Sequence, residues 1–391
     1  MPGELRGASW NAEGGVTSAV RDPRPAPGGA LRLEELETPA PVVELDRLAR
    51  NLDRMAAYTA EHGLRLRPHI KTHKSPLIAA QQLARGAAGV TCATPREAEA
   101  MSAVTDDILV AYPAVDPARL RRLMALPGRV RLTIALDSRE AVEALAAAAR
   151  AHGREVGVYV EMDLGMRRVG VQSAREAAAL ARLVRDRAPL RYTGIAFYPG
   201  HVREPVAEQD AALASLRRAL GDALAELERE GLAPAVVSGG STPTAWRTHE
   251  IAGVTELRPG TYVYNDRTTA AIGACGWDDC ALTVLSTVVS TAVPGQAVID
   301  AGTKALGREP MRGAEGDGFG ALLDRPEVTV RAMSEEHGIL DLSRTDWRPR
   351  VGDRVRVVPN HVCIVVHLND VVYGVRGDVV ETSWAVEARG R

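Results

Sequence analysis

The sequence predicts an α/β protein: a (β/α)8 barrel of the TIM type followed by a smaller antiparallel β-domain. Two observations predict this fold. Between residues 64 and 262, eight short apolar runs rich in β-branched residues alternate with helical stretches rich in Ala, Leu and Arg, and eight such units close a barrel. After about residue 280, short strands follow one another across turn signals such as Pro294-Gly295 and Asn369-Asp370. An open doubly wound sheet is the alternative for the first part.

Each predicted element occupies a definite stretch of the chain. The barrel strands are predicted at residues 64–71, 88–94, 108–112, 130–136, 155–162, 190–198, 234–238 and 254–262. The clearest helices are predicted at 139–152, 174–187 and 207–230, where apolar residues recur near i, i+3, i+4 and i+7. The β-domain strands are predicted at 281–291, 297–300, 354–358, 362–368, 371–373 and 379–384.

Three regions follow from this pattern. Residues 1–30 are dominated by Pro, Gly, Ala and Arg without an apolar period, which predicts a disordered tail. The barrel is predicted over residues 31–270 and the β-domain over residues 271–391.

Composition excludes several classes of protein. The net charge is −2, and 46% of the residues are hydrophobic, which is ordinary for a globular protein. No basic stripe is present, so we expect no nucleic-acid partner. No apolar run reaches the roughly 18 residues that a membrane span needs, and the N-terminus lacks the pattern of a secretory signal, so we expect a cytoplasmic protein. Four cysteines are too few for a disulfide framework.

The end of the first barrel strand carries the clearest chemical signal. Residues 67–74 read RPHIKTHK, and alternation along a strand would place His69, Lys71 and His73 on one face. Active sites of these barrels lie at the carboxyl ends of the strands. A lysine that is desolvated there has a lowered pKa and becomes a nucleophile toward an aldehyde. The alternative is a surface cluster of charges.

The seventh and eighth strands end in candidate phosphate-binding turns. Gly240, Ser241 and Thr242 follow strand seven, and Gly260 and Tyr262 follow strand eight. Glycine allows the backbone to approach a ligand closely, and phosphate sites recur after these two strands. A lysine for an aldehyde together with a cradle for a phosphate suits pyridoxal 5'-phosphate (PLP).

The predicted β-domain contains a candidate metal pair, His361 and Cys363. On a strand, residues two apart face the same side, and imidazole and thiolate are both zinc ligands. A structural zinc site would need four protein ligands. Two ligands would leave positions open for water and substrate. The alternative is an accidental His-x-Cys sequence.

Taken in this order, these motifs resemble those of the D-threonine aldolase and D-serine dehydratase family, fold-type III PLP enzymes with an alanine racemase-like barrel. The resemblance extends from about Thr38 to Ala388. It implies that Lys71 is the Schiff-base lysine and that Tyr198 faces the active centre. Within residues 165–171, which read GMRRVGV, it places Arg168 near the phenolic oxygen of the cofactor.

The resemblance also implies the remaining site residues and the partners. The phosphate would lie on Gly240, Ser241, Thr242, Gly260 and Tyr262, and a divalent metal (Zn, Mn or Mg) on His361 and Cys363. His69 and His73 are candidates for proton transfer or for supporting the site, and the alternative is that they are hydrogen-bonded structural histidines. Relatives are dimers, so we expect a homodimer in which residues 264–266 face the partner's active site.

The activity that the resemblance implies is a lyase reaction on small D-3-hydroxy amino acids. Retro-aldol cleavage of the D-threonine aldolase type would give glycine and an aldehyde. The alternative is D-serine or D-threonine dehydration to a 2-keto acid and ammonia. Some aldolases of the group carry Asp where this chain has Cys363, whereas D-serine dehydratases carry Cys. An amino-acid racemase and a non-catalytic PLP-binding protein remain as further alternatives.

Overall fold

The computed structural model describes residues 31–313 and 316–390, so the tail predicted at 1–30 lies outside the described residues. Its strands are β1 (Ala40–Glu44), β2 (Arg65–Leu66), β3 (Val90–Cys92), β4 (Asp107–Val110), β5 (Arg131–Leu136), β6 (Val156–Met162), β7 (Leu190–Phe197), β8 (Val236–Gly239), β9 (Glu256–Leu257), β10 (Leu282–Ser290), β11 (Gln296–Ile299), β12 (Gly320–Leu322), β13 (Val330–Met333), β14 (Gly338–Asp341), β15 (Arg354–Pro359), β16 (Val371–Arg376) and β17 (Val379–Ala385).

The α-helices are α1 (Leu45–Glu61), α2 (Pro76–Ala84), α3 (Pro95–Met101), α4 (Pro117–Met124), α5 (Arg139–Ala151), α6 (Ala174–Arg185), α7 (Asp210–Arg229), α8 (Arg267–Ala271), α9 (Thr303–Leu306) and α10 (Val362–Leu368). Side-chain caps define several of their starts: Ser138 accepts a hydrogen bond from the Ala141 amide, and Ser173 accepts one from the Glu176 amide. Among the described residues, no helix is long and apolar enough to span a bilayer.

The predicted barrel is confirmed, with a strand in each of the eight predicted runs. The strands are all parallel in the order β2-β9-β8-β7-β6-β5-β4-β3. Hydrogen bonds between the two end strands close the barrel: the Ala88 amide donates to the Leu66 carbonyl (2.8 Å) and the Thr91 amide to the Pro68 carbonyl (2.9 Å). The carboxyl ends of β2, β8 and β9 therefore meet at one rim.

The second domain is a sheet in the order β13-β14-β11-β10-β1-β16-β17, with β15 pairing to β10 and β12 pairing to β15. The predicted boundaries are wrong at one point. Strand β1 lies within residues 31–270 but belongs to this sheet, where it pairs with β10 in antiparallel and with β16 in parallel orientation. Pro41 within β1 has no amide hydrogen to donate, which makes the strand hard to recognise from sequence.

Residues 362–368 form helix α10 and not the predicted strand. Its valines are β-branched, which favours a strand. However, the buried residues Val362, Val365 and Val366 follow helical spacing, and packing against the Ile70–Thr72 turn outweighs local preference.

The first barrel strand is also shorter than predicted. It ends at Leu66, and Ile70–Thr72 form a single 3-10 turn. The strand alternation that placed His69, Lys71 and His73 on one face is therefore wrong, because a 3-10 turn rotates each successive side chain by about 120°.

Candidate active site

Lys71 differs from the other lysines of this chain. The sequence contains only three: Lys71, Lys74 and Lys304. Lys74 is buried and forms a 2.5 Å ion pair with Glu97, and Lys304 is exposed between Glu335 and Glu336. Lys71 is half-buried and has no carboxylate partner within the described residues. It is the one lysine here whose amine is not held by an acidic group.

Two other predicted site residues lie next to Lys71. Its Nζ atom is 5.9 Å from the ring centroid of Tyr198, and the guanidinium of Arg168 is 5.0 Å from the same centroid. The loop that presents Arg168 is held by Asp163, whose carboxylate accepts hydrogen bonds from the Gly165 amide (2.8 Å) and the Arg167 amide (3.0 Å). The structure thus brings Lys71, Arg168 and Tyr198 together as predicted.

His69 is an uncharged group beside Lys71. Burial, and then the positive charge of Lys71, lower the pKa of His69 well below its usual range. Its Nδ1 atom accepts a hydrogen bond from the Lys71 amide at 3.4 Å, so the ring proton is on Nε2. His69 is therefore a neutral donor at the base of the lysine turn.

His73 belongs to the core, as the alternative of a hydrogen-bonded structural histidine requires. It is fully buried, its Nε2 atom contacts Gln82 Oε1 (3.2 Å), and its Nδ1 atom accepts from the Ser75 amide (3.2 Å). Burial lowers the pKa of His73 to about 3. Its role is to pack and hydrogen-bond the start of α2.

The glycine turn after the last barrel strand adjoins the lysine turn. A Cβ atom on Gly260 would stand 2.9 Å from Thr72 Oγ1 and 3.1 Å from the His69 carbonyl oxygen, so only glycine allows this approach. Gly240 has a φ of +90°, and a Cβ there would be 2.3 Å from Leu257. Ser241 follows in the same turn and hydrogen-bonds to Thr244 (3.0 Å).

Tyr262 is buried behind the glycine turns and hydrogen-bonds to residues on both sides. Its ring is 3% exposed, and its hydroxyl accepts a hydrogen bond from Gln82 Nε2 at 3.0 Å. Its amide donates to Thr242 Oγ1 at 3.1 Å. The hydroxyl of Tyr262 therefore faces the core, and a role of this residue in cofactor binding stays a prediction.

The predicted metal pair lies at the start of α10, directly beside the lysine turn. Cys363 Sγ is 3.3 Å from Thr72 Oγ1. Burial opposes ionisation of the thiol, but the charge and hydrogen bond of His361 and the charge of Lys71 outweigh it and lower the pKa of Cys363 to about 7. The charge of Cys363 in turn raises the pKa of His361 well above its usual range, and Asp266 adds to this increase.

One pocket adjoins part of this region, although neither Lys71 nor Cys363 is among its lining residues. Its lining includes Tyr198, Ser241, Asp266 and His361. Within residues 31–313 and 316–390, no three His, Cys, Asp or Glu side chains converge on a common metal position. The protein would therefore supply two ligands, and the remaining positions would be left to water and substrate.

The residues present fit both groups that the sequence suggested. A PLP-sized ligand needs a free amine at one end and close backbone approach at the other, which Lys71 and the turns at Gly240 and Gly260 supply. Thiolate and imidazole nitrogen are both ligands for zinc. Cys363, with its lowered pKa, and His361 supply these donors.

Sequence patterns misplaced Asp266 and assigned no role to Thr72. Residues 264–266 were expected to face a partner subunit, but Asp266 is fully buried and its Oδ2 atom lies 3.0 Å from Nδ1 of His361 in the same chain. The two residues are 95 positions apart, and no local pattern links them.

A barrel with a free lysine at the end of its first strand and glycine turns after its last two defines a fold-type III PLP enzyme. Family models agree. Residues 43–268 match the alanine racemase N-terminal domain, and residues 281–375 match the putative serine dehydratase domain. The chain belongs to the D-threonine aldolase and D-serine dehydratase family, and it is a PLP-dependent lyase.

Individual relatives support this assignment over nearly the whole chain. The 3-hydroxy-D-aspartate aldolase of Paracoccus denitrificans is 34% identical and covers 91% of this chain and 93% of its own length. The D-threo-3-hydroxyaspartate dehydratase of Delftia sp. is 38% identical over 84% of this chain and 91% of its own.

Solved structures give the same result. The D-threonine aldolase of Filomicrobium marinum has a TM-score of 0.84 at 33% identity, covering 93% of this chain and 99% of its own. A cysteine variant of a D-threo-3-hydroxyaspartate dehydratase, solved in a metal-free form, has a TM-score of 0.84 at 34% identity, covering 92% of this chain and 100% of its own. A histidine variant of that enzyme, changed two positions earlier, matches with a TM-score of 0.85 at 33% identity, covering 93% and 97%.

Proposed function

We propose that this lyase acts on D-3-hydroxy amino acids, with PLP on Lys71 and a divalent metal on His361 and Cys363. One observation carries the proposal. The only lysine without an acidic partner among the described residues is followed by Thr72, whose hydroxyl contacts the Cys363 thiol at 3.3 Å. An amine for the cofactor and a ligand for a metal are therefore neighbours at one rim of the barrel.

Each residue has a defined task in this proposal. When bound, PLP withdraws electrons from the α-carbon of an amino acid. Lys71 holds the cofactor and exchanges a proton at the α-carbon, while Arg168 and Tyr198 orient the ring. The turns at 240–242 and 260 hold the phosphate. His361 and Cys363 hold the metal, which would polarise the 3-hydroxyl group of the substrate as a Lewis acid.

Retro-aldol cleavage to glycine and an aldehyde is the first candidate reaction. It is the activity named for the Paracoccus relative, which matches 91% of this chain, and for the Filomicrobium structure, which matches 93%. The reaction requires loss of the hydroxyl proton, and a metal on His361 and Cys363 would make that proton more acidic.

Dehydration is the second candidate, and the metal pair favours it. The Delftia dehydratase is 38% identical to this chain, and the His and Cys changed in the two solved dehydratase variants are two positions apart, as His361 and Cys363 are. The same geometry serves both reactions. Lys71 would remove the α-proton, and the metal would assist departure of hydroxide.

Product analysis separates the candidates. Incubation of the metal-loaded holoenzyme with D-threonine would give glycine and acetaldehyde by cleavage, or 2-oxobutanoate and ammonia by dehydration. The same incubation after chelation should give neither pair. Formation of only the α-epimer, with turnover unaffected by chelation, would indicate a racemase and would contradict both candidates.

Three further expectations belong to this proposal. A thiolate ligand favours zinc among the divalent metals considered, because soft sulfur ligands select zinc over magnesium and manganese. We expect a homodimer, which size-exclusion chromatography with light scattering would test. We also expect a cytoplasmic location, which fractionation of the source cells would test.

A further inference from the structure

Asp266 uses both of its carboxylate oxygens as acceptors, each toward a different element. Oδ1 accepts from the amide and from the hydroxyl of Thr269, both at 2.9 Å, and so caps α8. Oδ2 lies 3.0 Å from Nδ1 of His361 and accepts from the Val362 amide at 3.3 Å. The side chain is completely buried.

The second oxygen also caps α10. His361 is the N-cap residue of that helix, yet its own side chain makes no capping hydrogen bond. The first amide of α10, that of Val362, is satisfied by Asp266 instead. The start of the helix that carries Cys363 is therefore held by the same carboxylate that contacts His361.

This arrangement determines which ring nitrogen of His361 can bind a cation. A carboxylate only accepts hydrogen bonds, so Nδ1 must carry the proton that it shares with Oδ2. When a metal replaces the second ring proton, it therefore binds the lone pair of Nε2. Histidine ligands of metals in proteins commonly donate their other N–H to a carboxylate, which fixes the ring orientation and raises the basicity of the ligand nitrogen.

We propose that Asp266 is a positioning residue for the metal site: it orients His361 so that Nε2 faces a divalent cation shared with Cys363. The inference rests on the metal pair of the proposed function. Asp266 acts on both ligands at once, through the ring of His361 and through the amide at which α10 begins.

Asp266→Asn is the informative substitution because an amide has one acceptor oxygen. If that oxygen keeps the cap on Thr269, the NH2 group meets Nδ1–H and the Val362 N–H, so donors face donors. We expect zinc affinity, measured by competition with a chromophoric chelator, to fall about 10- to 100-fold. We also expect a weakened sulfur-to-cobalt absorption band in the Co²⁺-loaded protein. Neither readout depends on turnover.

Two matched variants separate positioning from capping alone. Asp116→Asn makes the same change at the N-cap of α4, where Asp116 accepts from the amides of Ala118 and Arg119, and it should leave zinc affinity unchanged. Thr269→Val removes hydroxyl bonds of the α8 cap but leaves the contact between Asp266 and His361, so affinity should remain within about threefold of the original.

A measurement on the unsubstituted protein keeps the inference testable if Asp266→Asn does not fold. With ¹⁵N-labelled histidine and zinc bound, the His361 ring should show a proton on Nδ1 and a metal-shifted Nε2. Coordination through Nδ1 would overturn the inference, as would a loss of affinity in Thr269→Val equal to that in Asp266→Asn, or affinity within twofold of the original in a folded Asp266→Asn variant. If the unsubstituted protein binds no zinc or cobalt, the proposed metal site fails together with this inference.

Discussion

Residues 69–74, which follow the first barrel strand, contain two His and Lys pairs with different surroundings. Lys71, two residues after His69, is half-buried, and its amine lies 5.9 Å from the ring centroid of Tyr198 and has no acidic partner among the described residues. His73 and Lys74 lie in the core, where the first contacts Gln82 and the second pairs with Glu97. Reactivity in this segment therefore depends on whether a partner neutralises the group, and not on residue type.

Lys71 and Lys74 differ in backbone geometry. The 3-10 turn over Ile70–Thr72 carries Lys71, whose amine lies near the ring of Tyr198. Lys74 has a φ of +51°, an uncommon value for a residue other than glycine, and this turns the chain into α2. A buried ion pair holds that conformation, because breaking it would leave Glu97 charged and unpaired.

The largest expected effect is that of replacing Lys71. Lys71→Ala should remove the visible absorbance of the lysine-bound cofactor and lower kcat by at least about 100-fold, because the cofactor anchor and the proton-transfer group are lost together. The fold should be unchanged by circular dichroism. Lys304→Ala, at an exposed lysine, is the control and should retain both absorbance and activity.

The thiols of Cys363, near Lys71, and Cys92, near Glu97, should differ in reactivity. Burial raises the pKa of Cys92 well above its usual range, and the charge of Glu97 adds to the increase, whereas the pKa of Cys363 is about 7. Iodoacetamide should therefore modify Cys363 and not Cys92 in the metal-stripped protein at neutral pH, as read by peptide mapping. Preferential labelling of Cys92 would contradict the electrostatic account.

Removal of the metal ligand should also separate cofactor binding from turnover. Cys363→Ala should retain the cofactor absorbance but lower kcat on a 3-hydroxy substrate about 100-fold or more, because Lewis-acid assistance contributes several kcal/mol. Zinc content, measured by atomic emission, should fall in parallel. Full activity of a zinc-depleted variant would eliminate the metal role.

Replacement of the buried Lys74 should affect stability. Lys74→Met should lower the free energy of unfolding by about 3–5 kcal/mol, because Glu97 would be left buried without its cation. Urea denaturation followed by circular dichroism measures this. Lys304→Met provides the exposed control and should unfold at the same urea concentration as the original protein. If Lys74→Met instead lost the cofactor absorbance without loss of stability, the roles assigned to the two lysines would be reversed.

A smaller effect is expected from His73, and it depends on pH. Its pKa is about 3 in the folded state, against about 6.5 when unfolded. The unfolded chain therefore takes up the proton first. The contribution to stability is complete above about pH 6.5 and is lost as the pH falls toward 3. Between about pH 6 and pH 4, the original protein should lose about 2–3 kcal/mol more than His73→Gln. Equal pH dependence of the two proteins would show that His73 is not buried in its neutral form.

Sequence patterns predicted the barrel well because each strand is an apolar run bounded by a helix of clear period. They failed where tertiary contacts override local preference, as in β1 with Pro41 and in α10 with its valines. The candidate site residues near the glycine and lysine motifs could be proposed because each motif is contiguous in sequence. Asp266 was misplaced because its partner, His361, is distant in sequence and only the fold brings them together.

The central claim is that Lys71 carries the cofactor, and borohydride reduction of the holoenzyme followed by peptide mass spectrometry tests it most directly. The chain offers only three lysines, and each can be observed in a separate peptide after cleavage on both sides of Lys71 and Lys74. We expect the pyridoxyl mass on Lys71 alone. The same mass on Lys74 or Lys304, with Lys71 unmodified, would contradict the account.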